Sequence, residues 1–228
     1  MFGFLGLTGC FKPKDNIQTF TDVAAIVGFN YELFPPQPTL IILGIELLAP
    51  ELYDIEGIYD GDAVVATFDV NYDDQPYLGY VLASNLRASK IDMAWATATE
   101  GGASTGGFND VIGNMRLFDV IEYGYENSNV VLFAEFLHEV PRDLHFDYEM
   151  TYDINDESEI MPLYIRAKIS GQSSLQPTQT VVKCAFDISY FIMHLRSSSK
   201  IGFHIMFNVG NEDGEEKFVG MDRPVLLQ

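Results

Sequence analysis

Short runs of Val, Ile, Phe and Tyr, each closed by Asp, Asn, Gly or Pro, recur along this chain and constrain it more than any other feature. β-Branched and aromatic residues suit a pleated, half-buried surface, and the punctuating residues supply turn conformations that strands cannot adopt. In the first half, residues 20–29, 39–43, 64–70, 77–82 and 90–97 read as strands, and Asp60-Gly61-Asp62 is the turn that opens the third. Residues 45–53 differ, because Leu47, Leu48, Glu51 and Leu52 suit a short helix or turn. Five short strands with one helical turn are compatible with a small OB-like barrel.

The second half carries strand signals at 116–125, 130–137, 144–152, 161–169, 180–186 and 201–209, with a last one at 217–221. Glu126-Asn127-Ser128-Asn129 and Asn211-Glu212-Asp213-Gly214 are hairpin turns by composition. Ile188, Phe191, Ile192 and Leu195 lie three or four apart, which predicts a helical turn over 187–195. Strands at this spacing predict an antiparallel sandwich. Between the halves, Glu100-Gly101-Gly102-Ala103-Ser104-Thr105-Gly106-Gly107 reads as a flexible link, since it lacks the Gly-Lys-Ser/Thr ending of a phosphate loop. The expected fold class is therefore mainly β, a small OB-like barrel followed by an antiparallel β-sandwich. The expected division is 1–18 as signal remnant and tether, 19–100 as barrel, 101–110 as linker and 111–228 as sandwich.

Charge excludes one class of partner. Thirty-three acidic residues against 13 Lys and Arg give a net charge of −20, and such a surface repels phosphate backbones, so no nucleic-acid partner is expected. The longest apolar stretch, 33–50, is broken by Pro35, Pro36, Pro38 and Glu46 and is no membrane-spanning helix. An address is nevertheless written at the start. Leu7-Thr8-Gly9-Cys10 resembles a bacterial lipobox, in which the cysteine is acylated and becomes the mature N-terminus, so Cys10 is the expected lipid attachment site. No Lys or Arg precedes Cys10, and the expectation therefore includes a start site further upstream. The other cysteine, Cys184, lies between Lys183 and Ala185 and reads as a small buried hydrophobe, which leaves no disulfide scaffold.

Residues 143–150 hold the candidate metal ligands. In a strand, Asp143, His145, Asp147 and Glu149 would share one face while Leu144, Phe146, Tyr148 and Met150 enter the core. Asp143, His145 and Asp147 are the weak metal candidates, although an amphipathic strand in an acidic protein shows the same alternation without any site. Residues 153–159 look like a calcium loop but lack its sixth-position glycine, and Tyr164 stands where the closing glutamate belongs. No cofactor is expected, with calcium the ion left open. No Gly-x-Ser-x-Gly elbow or His-Glu-x-x-His helix occurs, so no catalytic residue is assigned. Twelve Tyr and 17 Phe would suit a sugar-binding surface if exposed, but most fall on the apolar faces of expected strands; Trp95 is the ring to watch.

Three phrases carry a family resemblance. Tyr59 to Phe68 (YDGDAVVATF), Leu163-Tyr164-Ile165-Arg166-Ala167 and Ala185-Phe186-Asp187-Ile188-Ser189 resemble the NigD-like lipoproteins of bacterial envelopes. They match, respectively, that family's Asp-Gly-Asp entry into a barrel strand, its arginine-bearing sandwich strand and its late aromatic-Asp-aliphatic-Ser phrase. The resemblance implies a cell-surface or periplasmic lipoprotein, some of whose relatives are described as bacteriocin immunity proteins, and it implies no catalytic residues. The expected location is the bacterial cell envelope, at the outer membrane or the cell surface. The leading expectation is a non-enzymatic, lipid-anchored protein that meets the membrane only through that anchor and binds an extracellular protein, peptide or glycan. The competing expectation is a carbohydrate-active or other hydrolase using surface carboxylates, which would need a cleft with two carboxylates roughly 5–10 Å apart. A calcium-stabilised adhesin module is a third.

Overall fold

The computed structural model describes residues 16–73, 75, 79–124, 128–212 and 215–227. Cys10 lies outside them, as do Tyr77 and the turn residues Glu126, Asn127, Asp213 and Gly214. The chain is mainly β and divides into two compact units, the first reaching Ile91 and the second starting at Asp92.

The first unit is one curled, OB-like sheet. Its strands are β1 (Ile17–Asn30), β2 (Gln37–Ile42), β3 (Ile45–Leu48), β4 (Ala63–Asn71), β5 (Val81–Leu82) and β6 (Ser84–Lys90), in the spatial order β5-β3-β2-β1-β4-β6. β1 serves two neighbours, β4 along residues 17–26 and β2 along 26–30. It can do so because it is bulged. Asp22 sits at φ 53, the register with β4 shifts between Phe20 and Val23, and the Asp22 amide donates to Thr67 Oγ1 at 3.1 Å. In β4, Val64, Ala66, Phe68 and Val70 are buried while Val65, Thr67, Asp69 and Asn71 are only partly so, the period of two that its sequence shows. These residues pack with Val27, Leu40 and Leu52, and Phe20 stacks on Phe68 with ring centroids 5.1 Å apart. Residues 45–53, expected as a helix or turn, are a strand and then a 3₁₀ turn over Pro50–Asp54. Pro50 has no N–H to continue the ladder, so the strand stops before it, and its fixed φ starts the turn.

The second unit is a sandwich whose two halves share one strand. β7 (Met93–Ala98) is followed by β8 (Asn114–Tyr123), β9 (Asn129–Val140), β10 (His145–Tyr152), β11 (Ile160–Ser170) and β12 (Thr178–Asp187). A helix, α1 (Ser189–Ser197), then precedes β13 (Gly202–Glu212), β14 (Glu215–Gly220) and β15 (Val225–Leu226). The order is β14-β13-β11-β10-β7-β12-β9-β8, with β15 on β13. The first half of β7, Met93 to Trp95, pairs with Ala185 to Asp187 of β12; its second half, Ala96 to Ala98, pairs with Met150 to Tyr152 of β10. β7 is thus the corner where the sheet folds over on itself. Phe136 of β9 stacks on Tyr148 of β10 across the interior at 4.3 Å, and Phe186 meets Phe136 edge-on at 6.2 Å. Phe191 of α1 closes one end against Tyr152 and Phe203.

Two details differ from expectation. The sandwich is not purely antiparallel, because β7 runs parallel to both β10 and β12, and β11 runs parallel to β13. Parallel neighbours need a crossover, and the chain provides one by visiting β12 and α1 between β11 and β13. The division of the chain falls at Ile91–Asp92 rather than in the glycine-rich 101–110 segment. Residues 93–98, expected in the barrel, belong to the second sheet because their ladder partners are there.

Candidate functional site

A groove of about 800 Å³ lies on the first unit, within the volume range of small-ligand sites. β1 contributes Val27 and Phe29 to its wall and β2 contributes Pro38. The 3₁₀ turn adds Leu52 and Tyr53, and the segment after it adds residues 55–60. Local folding explains each placement. Glu51 pins the turn to β6 by accepting from the Asn85 and Leu86 amides at 2.9 and 2.8 Å. With Glu51 tied down, Leu52 points into the core and Tyr53, the next residue, points out. The Tyr53 hydroxyl donates to the Pro36 carbonyl at 2.7 Å, which fixes its ring against Phe29, 6.1 Å away. Tyr31 flanks Phe29 at 6.2 Å.

At the other end, Asp62 organises the rim. Its Oδ2 accepts from the Tyr59 amide at 2.8 Å and its Oδ1 pairs with Lys90 Nζ at 2.8 Å, which places that ammonium 5.9 Å from the Tyr59 ring centroid. Tyr31, Phe34, Tyr53, Tyr59 and Tyr72 are all exposed, Phe34 completely. They are five of the seven exposed aromatic side chains among the described residues, although the first unit is the smaller one. Of these, Tyr53 and Tyr59 line the groove and present ring surface to water there.

The sequence-level candidates fall elsewhere. His145 and Asp147 do share a face and are bonded, Nε2 to Oδ1, at 3.0 Å. Asp143 precedes the strand and accepts from the Ser173 hydroxyl at 2.5 Å instead. Among the described residues no three His, Cys, Asp or Glu side chains converge on a point where a metal ion could sit. The loop 153–159 turns two of its carboxylates onto its own backbone, Asp153 to the Asn155 amide and Asp156 to the Ser158 amide. Cys184 is buried, and burial pushes its thiol up to about 12, so it carries no reactive thiolate. His138 is buried too. Its Nδ1 meets the Val111 carbonyl at 3.0 Å and must carry the proton, so Nε2 accepts from the Tyr148 hydroxyl at 2.7 Å. Burial lowers its affinity for a second proton. Trp95 is exposed on β7.

Glu149, expected on the solvent face with His145, is instead buried and holds the glycine-rich segment. It accepts from the Ser104 hydroxyl and from both the amide and the hydroxyl of Thr105, at 3.0 and 2.6 Å. Beside it in register, Arg166 is almost fully buried. It binds Glu216 through Nε and Nη2 at 2.6 and 2.8 Å, the Thr151 hydroxyl at 2.7 Å and the Gly102 carbonyl at 3.0 Å. The Phe218 and Tyr164 rings flank the guanidinium at 4.8 and 5.6 Å. Residues 102–105 are therefore clamped into the second unit, and this fully satisfied cluster presents no open coordination or binding position.

Sequence reasoning passed over Tyr31, Phe34, Tyr53 and Tyr59. The available signal was their position: each stands in a turn segment rich in Pro, Gly or Asp rather than in a strand, where core packing would explain it.

No protein-family model and no curated protein sequence matches this chain. Solved structures do. An uncharacterized protein of Parabacteroides merdae superposes with a TM-score of 0.70 at 14% identity, over 89% of this chain and 95% of that one. A "Putative lipoprotein" of Bacteroides fragilis superposes with a TM-score of 0.58 at 16% identity, over 90% and 96%. A NigD-like immunity protein of Bacteroides caccae is also among the similar structures, at 10% identity and a TM-score of 0.46 over 92% and 93%. At these identities the fold is what is shared. The mainly β architecture thus recurs over nearly the full length of the Parabacteroides merdae and Bacteroides fragilis chains.

Proposed function

We propose that the chain is a non-enzymatic protein of the bacterial cell envelope, anchored by lipid at Cys10, whose first unit binds an extracellular protein, peptide or glycan. The observation that carries the binding role is the groove with the exposed rings of Tyr53 and Tyr59 in its lining. The anchoring rests on Leu7-Thr8-Gly9-Cys10 and is supported by the name of the Bacteroides fragilis protein that shares the fold. An immunity-type role is one form of this binding, implied by the sequence resemblance. An outer-membrane or cell-surface position is the location at which such a protein would meet its partner.

The hydrolase alternative has one observation in its favour, since Glu56 and Asp60 both line the groove. Both are exposed, however, and a carboxyl group that must donate a proton near neutral pH needs the desolvation of a buried site. Two measurements test the proposal. Metabolic fatty-acid labelling should mark the wild type and not Cys10→Ala; equal labelling of both, or of neither, ends the anchoring. Glycan and peptide arrays should yield a ligand whose binding falls at least about tenfold in Tyr53→Ala. Turnover of a chromogenic glycoside that is lost in Glu56→Gln would replace the binding role with the hydrolase.

A further inference from the structure

We propose that the occupant of this groove is a peptide segment bearing Lys or Arg side chains. The inference rests on the reading of the groove as the binding site, and three observations extend it. The first is charge. Between residues 16 and 91 stand seven Asp and four Glu against only Arg87 and Lys90, a net of −9, and the charged residues that line the groove, Glu56 and Asp60, are both acidic. Such a field draws in cations and raises their encounter rate.

The second is a cation already in place. Lys90 lies over the Tyr59 ring while its ammonium is held by Asp62. A ring backed by a carboxylate is a site for a basic side chain, and the protein's own lysine occupies one copy of it. Glu56 and Asp60 bring carboxylates to the same groove without a cation: no side-chain hydrogen bond or ion pair engages either of them among the described residues. A partner's Lys or Arg fills that place.

The third is the lining between these charges. Val27, Phe29, Pro38, Leu52, Ile55 and Ile58 form it, with no amide or aliphatic hydroxyl side chain. A sugar brings a hydroxyl on nearly every carbon, and each one buried here without a partner would weaken binding. A peptide instead brings apolar side chains for the floor and basic ones for the rim. The composition of the wall thus favours peptide over glycan, and the sign of the field favours a basic one.

The test titrates the full chain with a synthetic peptide carrying Arg and Phe in a Gly-Ser background, with its Arg-to-Gln counterpart, and with maltohexaose and cellohexaose. Calorimetry gives the affinity, and NMR of fluorotyrosine-labelled protein shows whether Tyr53 and Tyr59 are touched. The Arg peptide should bind and perturb both rings, weaken as salt rises, and bind about tenfold more weakly to Glu56→Gln/Asp60→Asn, the loss of two exposed ion pairs of up to about 1 kcal/mol each. A control pair on the second unit, Glu157→Gln/Glu159→Gln, should change affinity by less than about twofold. Equal weakening by both pairs would mean diffuse attraction and would overturn the proposal, as would equal binding of the Gln counterpart. If a hexaose perturbs the two tyrosines and the Arg peptide does not, the groove remains a binding site and the basic partner falls. If no probe touches either ring, both readings fall together.

Discussion

Removing Glu216 should harm the second unit more than removing Arg166, although the two form one ion pair. The asymmetry follows from burial. The Arg166 side chain is 3% exposed and that of Glu216 is 28% exposed. Glu216→Ala strands a buried guanidinium whose Nε and Nη2 lose their carboxylate, leaving it the neutral Thr151 hydroxyl and Gly102 carbonyl and the faces of two rings. An uncompensated buried charge costs about 3–5 kcal/mol. Arg166→Met leaves no comparable orphan. Glu216 can turn to water, and the Gly102 carbonyl still accepts from the Thr151 hydroxyl at 2.7 Å. The methionine fills much of the space of the arginine stem, so the expected loss is about 1–2 kcal/mol of hydrogen bonding and packing. The gap between the variants should therefore be about 1–4 kcal/mol, at least about a factor of five in the unfolding constant. Urea unfolding followed by fluorescence measures it, because Trp95 is the single tryptophan and lies on β7 of the affected unit. Once Arg166 is methionine, adding Glu216→Ala should cost little more. Equal losses in the two single variants, or a double variant equal to their sum, would refute the reasoning.

Other outcomes follow from the same geometry. Gly102→Ala should lower the melting temperature by several degrees, because Gly102 sits at φ +68 and a Cβ there would lie 2.5 Å from Tyr164 Cε2. His138 binds a proton less readily when folded than its ordinary value of 6.5, so the unfolded chain takes up that proton first as the pH falls. Its contribution to stability is complete above about pH 6.5 and is lost progressively below it, and chemical unfolding at pH 7 and pH 5 should show a drop that His138→Gln makes smaller. In a Cys10→Ser background, a thiol reagent should label Cys184 only after denaturation; labelling of the native protein at the unfolded rate would contradict its burial.

The parts of the fold that the sequence discloses are those encoded by neighbours. β4 alternates Val64, Ala66, Phe68 and Val70 against polar residues, and α1 spaces Phe191, Ile192 and Leu195 three and four apart; both stand where the periodicity puts them. The glycine-rich segment 100–107 is legible only as flexible, because what holds it, Glu149, Thr151 and Arg166, comes some fifty residues later. β7 is harder still. Ala94, Ala96 and Thr97 give a weak strand signal, and nothing local says that half the strand pairs with β12 and half with β10. The groove shows the same limit in reverse. Its rings are plain in the sequence, but a tyrosine beside a turn and a tyrosine in a core are told apart only by what covers them.

The double pairing of β7 bears on how the protein is made. Residues 93–98 emerge during synthesis well before Tyr152 and still longer before Asp187, yet 96–98 wait for β10 and 93–95 for β12 as their ladder partners. Until residue 187 has been delivered, the strand has at least one open row of amides and carbonyls, the template on which chains add to one another. A protein exported while unfolded would expose that edge outside the cytoplasm. The segment is short, and Asp92 and Glu100 flank it with charges that oppose stacking, the usual defence of a strand that must wait for its partners. Completion of the pairing of β7 is thus timed by the arrival of β12, and a chain released before that point would carry an open strand edge.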